Sequence, residues 1–194
     1  MAICLPIEDE ANELLTRDPM ALLLGMMLDQ QVTFEKAFSS PYQLALRLGH
    51  EPTAAELAEF DPDRLASIFS ERPALHRYPK AMAARAQELA AAIRDRYDGD
   101  AGALWHTAAT GGELRRRLAE LPGFGDQKSK IMVALLGKRL AVTPQGWREA
   151  AGPYGAEDSH LSVADVTDET SLAAVRAHKK AMKAAAKQSL PATG

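Results

Sequence analysis

The chain has 194 residues, 46% of them hydrophobic and 25% charged, with a formal net charge of −3. That length supports one large domain or two small ones around a real apolar core, while the single cysteine, Cys4, excludes an internal disulfide framework and any all-cysteine metal centre. No apolar run approaches the ~20 residues needed to span a bilayer, and the acidic opening Glu8-Asp9-Glu10 lacks the basic region of a secretory leader, so a soluble cytoplasmic protein with no membrane partner is expected.

In chain order the periodicity is helical, with no convincing strand alternation, and predicts an all-α fold. Asp18-Pro19 is a helix start, a capping side chain followed by proline at the first helical position. Leu22, Leu23, Met26, Met27 and Gln30 then follow at helical spacing. Ser40-Pro41 and Asp61-Pro62 repeat the start signal. Pro79–Tyr97 reads as an alanine-rich helix with Met82, Ala86, Leu89, Ala90 and Ile93 on one face, stopped by Asp98-Gly99-Asp100. Thr110-Gly111-Gly112 opens a short helix ending at Leu118, and a new apolar helix begins at Asp126. Turn-rich stretches at 143–147 and 151–155 lead to a last helix from about Thr167 to Gln188. The predicted organisation is a helical bundle over 33–137, with a second helical lobe formed by 1–32 and 138–194.

Charge is unevenly spread. Residues 1–71 hold 13 acids and 4 bases, net −9, whereas 72–194 hold 13 acids and 19 bases, net +6. Bases gather at Arg115, Arg116, Arg117, Lys128, Lys130, Lys138 and Arg139, and again at Arg176, Lys179, Lys180, Lys183 and Lys187, with no acid after Glu169. Nucleic-acid affinity follows such local footprints rather than total charge. Solvated helix faces are the plainer reading of the C-terminal run.

Between the two central helices stands Leu121-Pro-Gly-Phe-Gly125, a two-glycine turn. Glycine is suited to positive φ or close backbone approach. The unpaired N–H groups of the helix that follows are a natural seat for a phosphate. This turn resembles the helix-hairpin-helix of the HhH-GPD superfamily of base-excision DNA repair glycosylases, the endonuclease III-like proteins. Two further stretches carry the resemblance: Leu28-Asp-Gln-Gln-Val-Thr33, similar to the family's leucine-serine-x-glutamine-x-threonine, and Tyr78-Pro-Lys-Ala81. The resemblance spans about residues 18–147. It implies a two-lobed helical glycosylase fold with double-stranded DNA carrying a damaged base as partner. It also implies Gln31 as a polar wedge that fills the space of a flipped base, beside Gln30. Leu121, Gly123, Phe124, Gly125, Gln127, Lys128 and Lys130 become the DNA-binding residues of the hairpin. In relatives the hairpin main chain often holds a monovalent cation; no side-chain metal site is expected, nor any cofactor. The four-cysteine iron–sulfur cluster of several relatives is excluded by the cysteine count.

The departures from the family pattern bear on mechanism. Bifunctional relatives place a Schiff-base lysine two residues after the second glycine, which here is Gln127. Lys128 stands one step further, about 100° around the helix, and is expected to face elsewhere. The family's aspartate after the second hairpin helix falls on Pro144 or Gln145, within an acid-free stretch, and the adenine-glycosylase glutamate falls on Met26. Asp29, which replaces a family serine, is therefore the candidate catalytic carboxylate, while Asp126 reads as a helix cap. Phe34, Tyr42 and Trp147 could stack on an extruded base, although each is more commonly a core residue. The histidines show no metal-ligand spacing.

The resemblance thus implies a monofunctional DNA glycosylase, acting as a monomer, that flips a damaged base and hydrolyses its N-glycosidic bond. Loss of both usual catalytic residues supports an alternative, a non-catalytic module binding damaged or distorted DNA. The acidic N-terminal third supports a third reading, a protein-interaction scaffold.

Overall fold

A computed structural model describes residues 2–188; residue 1 and residues 189–194 lie outside the described residues, as do the side chains of Lys179, Lys183 and Lys187 from the expected basic run. The protein is all-helical, and the described residues contain no strand. Its helices are α1 (Asp9–Arg17), α2 (Pro19–Leu28), α3 (Phe34–Leu48), α4 (Ala54–Glu59), α5 (Pro62–Ser70) and α6 (Pro79–Tyr97). They continue with α7 (Ala103–His106), α8 (Gly111–Ala119), α9 (Asp126–Leu140), α10 (Trp147–Ala151) and α11 (Glu169–Gln188). None of them is long and apolar enough to cross a membrane.

Helix starts are set by short polar side chains. Asp18 accepts from the Met20 N–H and Asp61 from the Arg64 N–H, each just before a proline at the first helical position. Ser40-Pro41 behaves differently from the sequence expectation. Thr33 caps α3 by accepting from the Lys36 N–H, and Pro41 lies inside the helix. The Ser40 hydroxyl lies 2.7 Å from both the Lys36 and Leu75 carbonyls, so it satisfies backbone near the proline while tying α3 to the loop before α6. Helix α10 is a second departure, since it joins the two turn-rich stretches at 143–147 and 151–155, where no helix was expected.

Helix α2 is the centre of the packing. Every residue from Met20 to Leu28 is buried, because PMALLLGMML offers no polar face to solvent. Helices α1 and α3 pack on it, and α6 meets it from another side. Helix α6 also carries α4 and α5, while α8, α9 and α10 pack together. One continuous apolar core runs from Ile3 to Val175. Gly137 permits the closest contact on α9: a Cβ there would lie 2.4 Å from the Trp147 ring.

The C-terminal segment is pinned to α9 by a buried ion pair. Lys138 Nζ donates to Asp165 Oδ1 at 2.5 Å, to the Ala156 carbonyl at 2.6 Å and to Ser159 Oγ at 2.9 Å. Breaking such a pair by removing one partner leaves a buried charge uncompensated. Lys138→Met is expected to lower unfolding stability by roughly 3 kcal/mol, measured by urea denaturation at neutral pH.

Candidate functional site

The site is built where the Leu121–Gly125 turn meets the C-terminal end of α2. Gly123 has φ +83, and a Cβ there would lie 2.7 Å from Met27 Cγ and 3.0 Å from Arg85 Cδ. Only glycine allows the turn to sit so closely on α2 and α6. Leu121 and Phe124 point inward and are buried, so what they offer a partner is main chain. Gly125 is exposed and precedes the first turn of α9, whose free N–H groups face solvent.

Lys128 turns inward. Its Nζ donates to the Met27 carbonyl at 2.6 Å, across 101 residues of sequence. The 100° step from Gln127 is real, but it is Gln127 that faces away. Its side-chain amide donates to the Tyr154 hydroxyl at 3.0 Å. Counting from Gly125 directs attention to Gln127, whereas packing brings Lys128 to the end of α2. Burial pulls the Lys128 amine down from 10.5 to about 8, with the Asp29 carboxylate drawing it up and Arg85 pushing it further down. Asp29 itself is the C-cap of α2 and half-buried. The candidate carboxylate and a depressed-pKa amine thus share one niche.

The loop from Asp29 to Thr33 carries the expected wedge. Gln31 is exposed and has φ +55, a conformation that costs a residue with a side chain roughly 1–3 kcal/mol. Gln30 is half-buried, its amide directed at the Met27 carbonyl (3.3 Å) and the Met82 sulfur (3.2 Å). His76, in the loop between α5 and α6, is 2% exposed and reaches this segment. Its Nδ1 accepts from the Tyr78 N–H at 3.0 Å, so the ring proton sits on Nε2 and is donated to the Gln30 carbonyl at 2.8 Å. Burial holds the His76 pKa below its ordinary value. His76 and Arg85 were missed by local reasoning because their partners lie far away in sequence.

Other expected residues are placed differently. Lys130 pairs with Asp126 at 2.7 Å, and Arg115 pairs with the same carboxylate. Arg116 and Arg117 pair with Glu120 and Glu113, and Lys138 is the buried partner of Asp165. Much of the basic group around the turn is therefore matched by acids of the same chain. Phe34 is a buried core residue, and Trp147, half-buried, packs against the core on α9. Gln145, one of the two positions where the resemblance would place an acid, accepts from the Gly111 N–H through its main-chain carbonyl and ties the 143–147 stretch to the start of α8. Among the described residues no cluster of three or more His, Cys, Asp or Glu side chains is placed to hold a metal. No known family model, curated protein or solved structure matches the chain.

The Lys128 shift makes a pH-dependent stability difference. Between pH 8 and 10.5 the unfolded chain keeps the proton that the folded protein has released, so the unfolded state binds more protons and unfolding free energy rises with pH. Relative to Lys128→Met, in which that titration is absent, the wild type is expected to gain stability across this window. Parallel urea titrations at closely spaced pH values check it, and a constant difference would refute the shift.

Proposed function

We propose that the protein is a base-excising DNA repair glycosylase of the helix-hairpin-helix kind, working on duplex DNA. The observation that carries the reading is the niche under the Leu121–Gly125 turn, where Asp29 and the half-buried Lys128 lie together beside the exposed Gln31. The turn and the first N–H groups of α9 grip a phosphate, Gln31 enters the duplex, and the extruded nucleotide brings its sugar to Asp29. Water adds at C1′ as the N-glycosidic bond breaks, and the base leaves with the bonding electrons and a proton. Asp29 stabilises the positive charge that develops on the sugar, since a placed anion is most effective where water is scarce.

The lowered pKa of Lys128 supports a second reading of the same niche. A neutral amine is a nucleophile, and burial supplies a neutral fraction near physiological pH. Attack of Nζ on C1′ would form the N–C bond as the base departs, and ring opening would give an imine. Loss of the C2′ proton and departure of the 3′-phosphate would then break the strand. The plainer role of Lys128 is to cap the carbonyls at the end of α2 with an ammonium.

One experiment separates these readings. Duplexes carrying uracil, hypoxanthine, 8-oxoguanine or alkylated adenine are incubated with the wild type, Asp29→Asn and Lys128→Gln, with and without alkali and with borohydride. The expected result is strand breaks after alkali only, a loss of at least roughly 100-fold in turnover for Asp29→Asn, and retained duplex binding. A borohydride-trapped protein–DNA adduct that disappears in Lys128→Gln would establish the amine route. Lesion-selective binding with no base release would replace the enzyme by a recognition module. No DNA binding even at low salt would leave the scaffold reading.

A further inference from the structure

Gln31 holds a left-handed backbone conformation at an exposed loop tip, with no glycine to make that conformation easy. Such a conformation persists only where surrounding structure over-determines it. Its own loop supplies little: Gln30 N–H closes a tight turn on the Leu28 carbonyl at 2.7 Å, and the Gln30 amide is held by Met27 and Met82. A further restraint, on the peptide joining Gln30 to Gln31, comes from another part of the chain. His76 Nε2 donates to the Gln30 carbonyl, which belongs to that very peptide.

His76 is suited to the task by its own fixation. The Tyr78 N–H holds Nδ1 as an acceptor, which leaves one tautomer and one direction for the Nε2 proton. The ring is buried, which strengthens its bond to the Gln30 carbonyl relative to one made in water. Ser40 ties α3 to the carbonyl of Leu75, the residue before His76, so the His76 loop is anchored to the helix that the Gln31 loop leads into.

We propose that His76 is the positioning residue of the wedge: its Nε2–H bond to the Gln30 carbonyl holds the Gln30–Gln31 peptide in the orientation that presents the Gln31 side chain to the duplex. The inference rests on the reading of Gln31 as a wedge and adds a residue that touches neither DNA nor the reacting atoms. Its consequence is specific. Loss of the bond impairs nucleotide extrusion while gripping of the backbone at the Leu121–Gly125 turn continues. A residue needed only for folding would lower both together.

Two substitutions divide the functions of the ring. In His76→Asn the amide oxygen takes the place of Nδ1 and keeps the Tyr78 bond, but the side chain ends short of Gln30. In His76→Gln the terminal amide nitrogen takes the place of Nε2 and keeps the Gln30 bond. The probe is a duplex with 2-aminopurine opposite cytosine, whose fluorescence rises on unstacking; anisotropy of the same duplex reports binding. The wild type is expected to raise fluorescence and Gln31→Ala to lose the rise. His76→Asn is expected to lower the extrusion equilibrium about ten-fold, the scale of one lost buried hydrogen bond, and His76→Gln to stay near wild type. Both His76 variants should bind the duplex with an affinity similar to that of the wild type. Extrusion by His76→Asn equal to wild type would overturn the proposal alone, as would equal losses in the two His76 variants. Absence of extrusion by the wild type would overturn the wedge reading and the proposal with it. Imidazole nitrogen spectra of the wild type need no variant to fold: the proposal requires the Nε2-protonated tautomer, and the Nδ1-protonated form overturns it.

Discussion

Burial of α2 on every side is the constraint from which the rest follows. A helix ends with four carbonyls that lack intrahelical partners, and at the end of α2 the apolar core crowds out the water that would ordinarily serve them. Each is nevertheless met. Asp29 N–H serves Gly25 and Met26, Gln30 N–H serves Leu28, and Met27 takes the Lys128 ammonium and the Gln30 amide. Three of those groups come from a loop that must double back, and one comes from α9, far along the chain. Satisfying a buried helix end has therefore drawn an amine, a carboxylate and a strained glutamine loop into one place.

The turn on which α9 begins obeys the same constraint. Gly123 lies against Met27 because no side chain fits between the turn and α2. Once the turn is seated there, the first turn of α9 is fixed in rotation. Position 128 then faces α2, while Gln127 is left on the side of Tyr154. Substituting Gly123 would disturb turn and niche together, since the same contact sets both.

Local signals in the sequence account for much of this architecture. The caps before Pro19 and Pro62, the long apolar face of α6 and the Leu121–Gly125 turn are written in neighbouring residues, and their helices form accordingly. Pro41 misleads because a proline marks a start only when nothing upstream caps the helix sooner, and Thr33 does. The short helices α4 and α7 span too few turns to show a period. In the site, Asp29, Gln31 and the turn were legible as motifs. The inward face of Lys128 depends on how α9 is rotated against α2, which spacing from Gly125 alone does not encode. His76 was beyond sequence reasoning, since its bond to Gln30 crosses 46 residues and leaves no periodic trace.

Electrostatics decides which chemistry the niche can perform. Asp126 draws Arg115 and Lys130 to the outer side of the turn, so those cations meet a phosphate only by exchanging a carboxylate for it. The N–H groups after Gly125 receive no side-chain cap, but the Asp126 carboxylate stands in the same first turn, so on the proposed reading a phosphate seated there relies on Arg115 and Lys130 to hold that carboxylate. A phosphate placed instead beside Lys128 would add to the pull of Asp29 and hold the amine as an ammonium, fit to stabilise an anion but not to attack carbon. A sugar in the same space brings no charge, excludes water and favours the neutral amine. On the proposed reading, the distance between phosphate and Lys128 would thus separate hydrolysis assisted by an ammonium–carboxylate pair from nucleophilic attack. The seating of the turn on Met27 fixes where Lys128 stands relative to the start of α9, and the proposed reading would inherit that spacing.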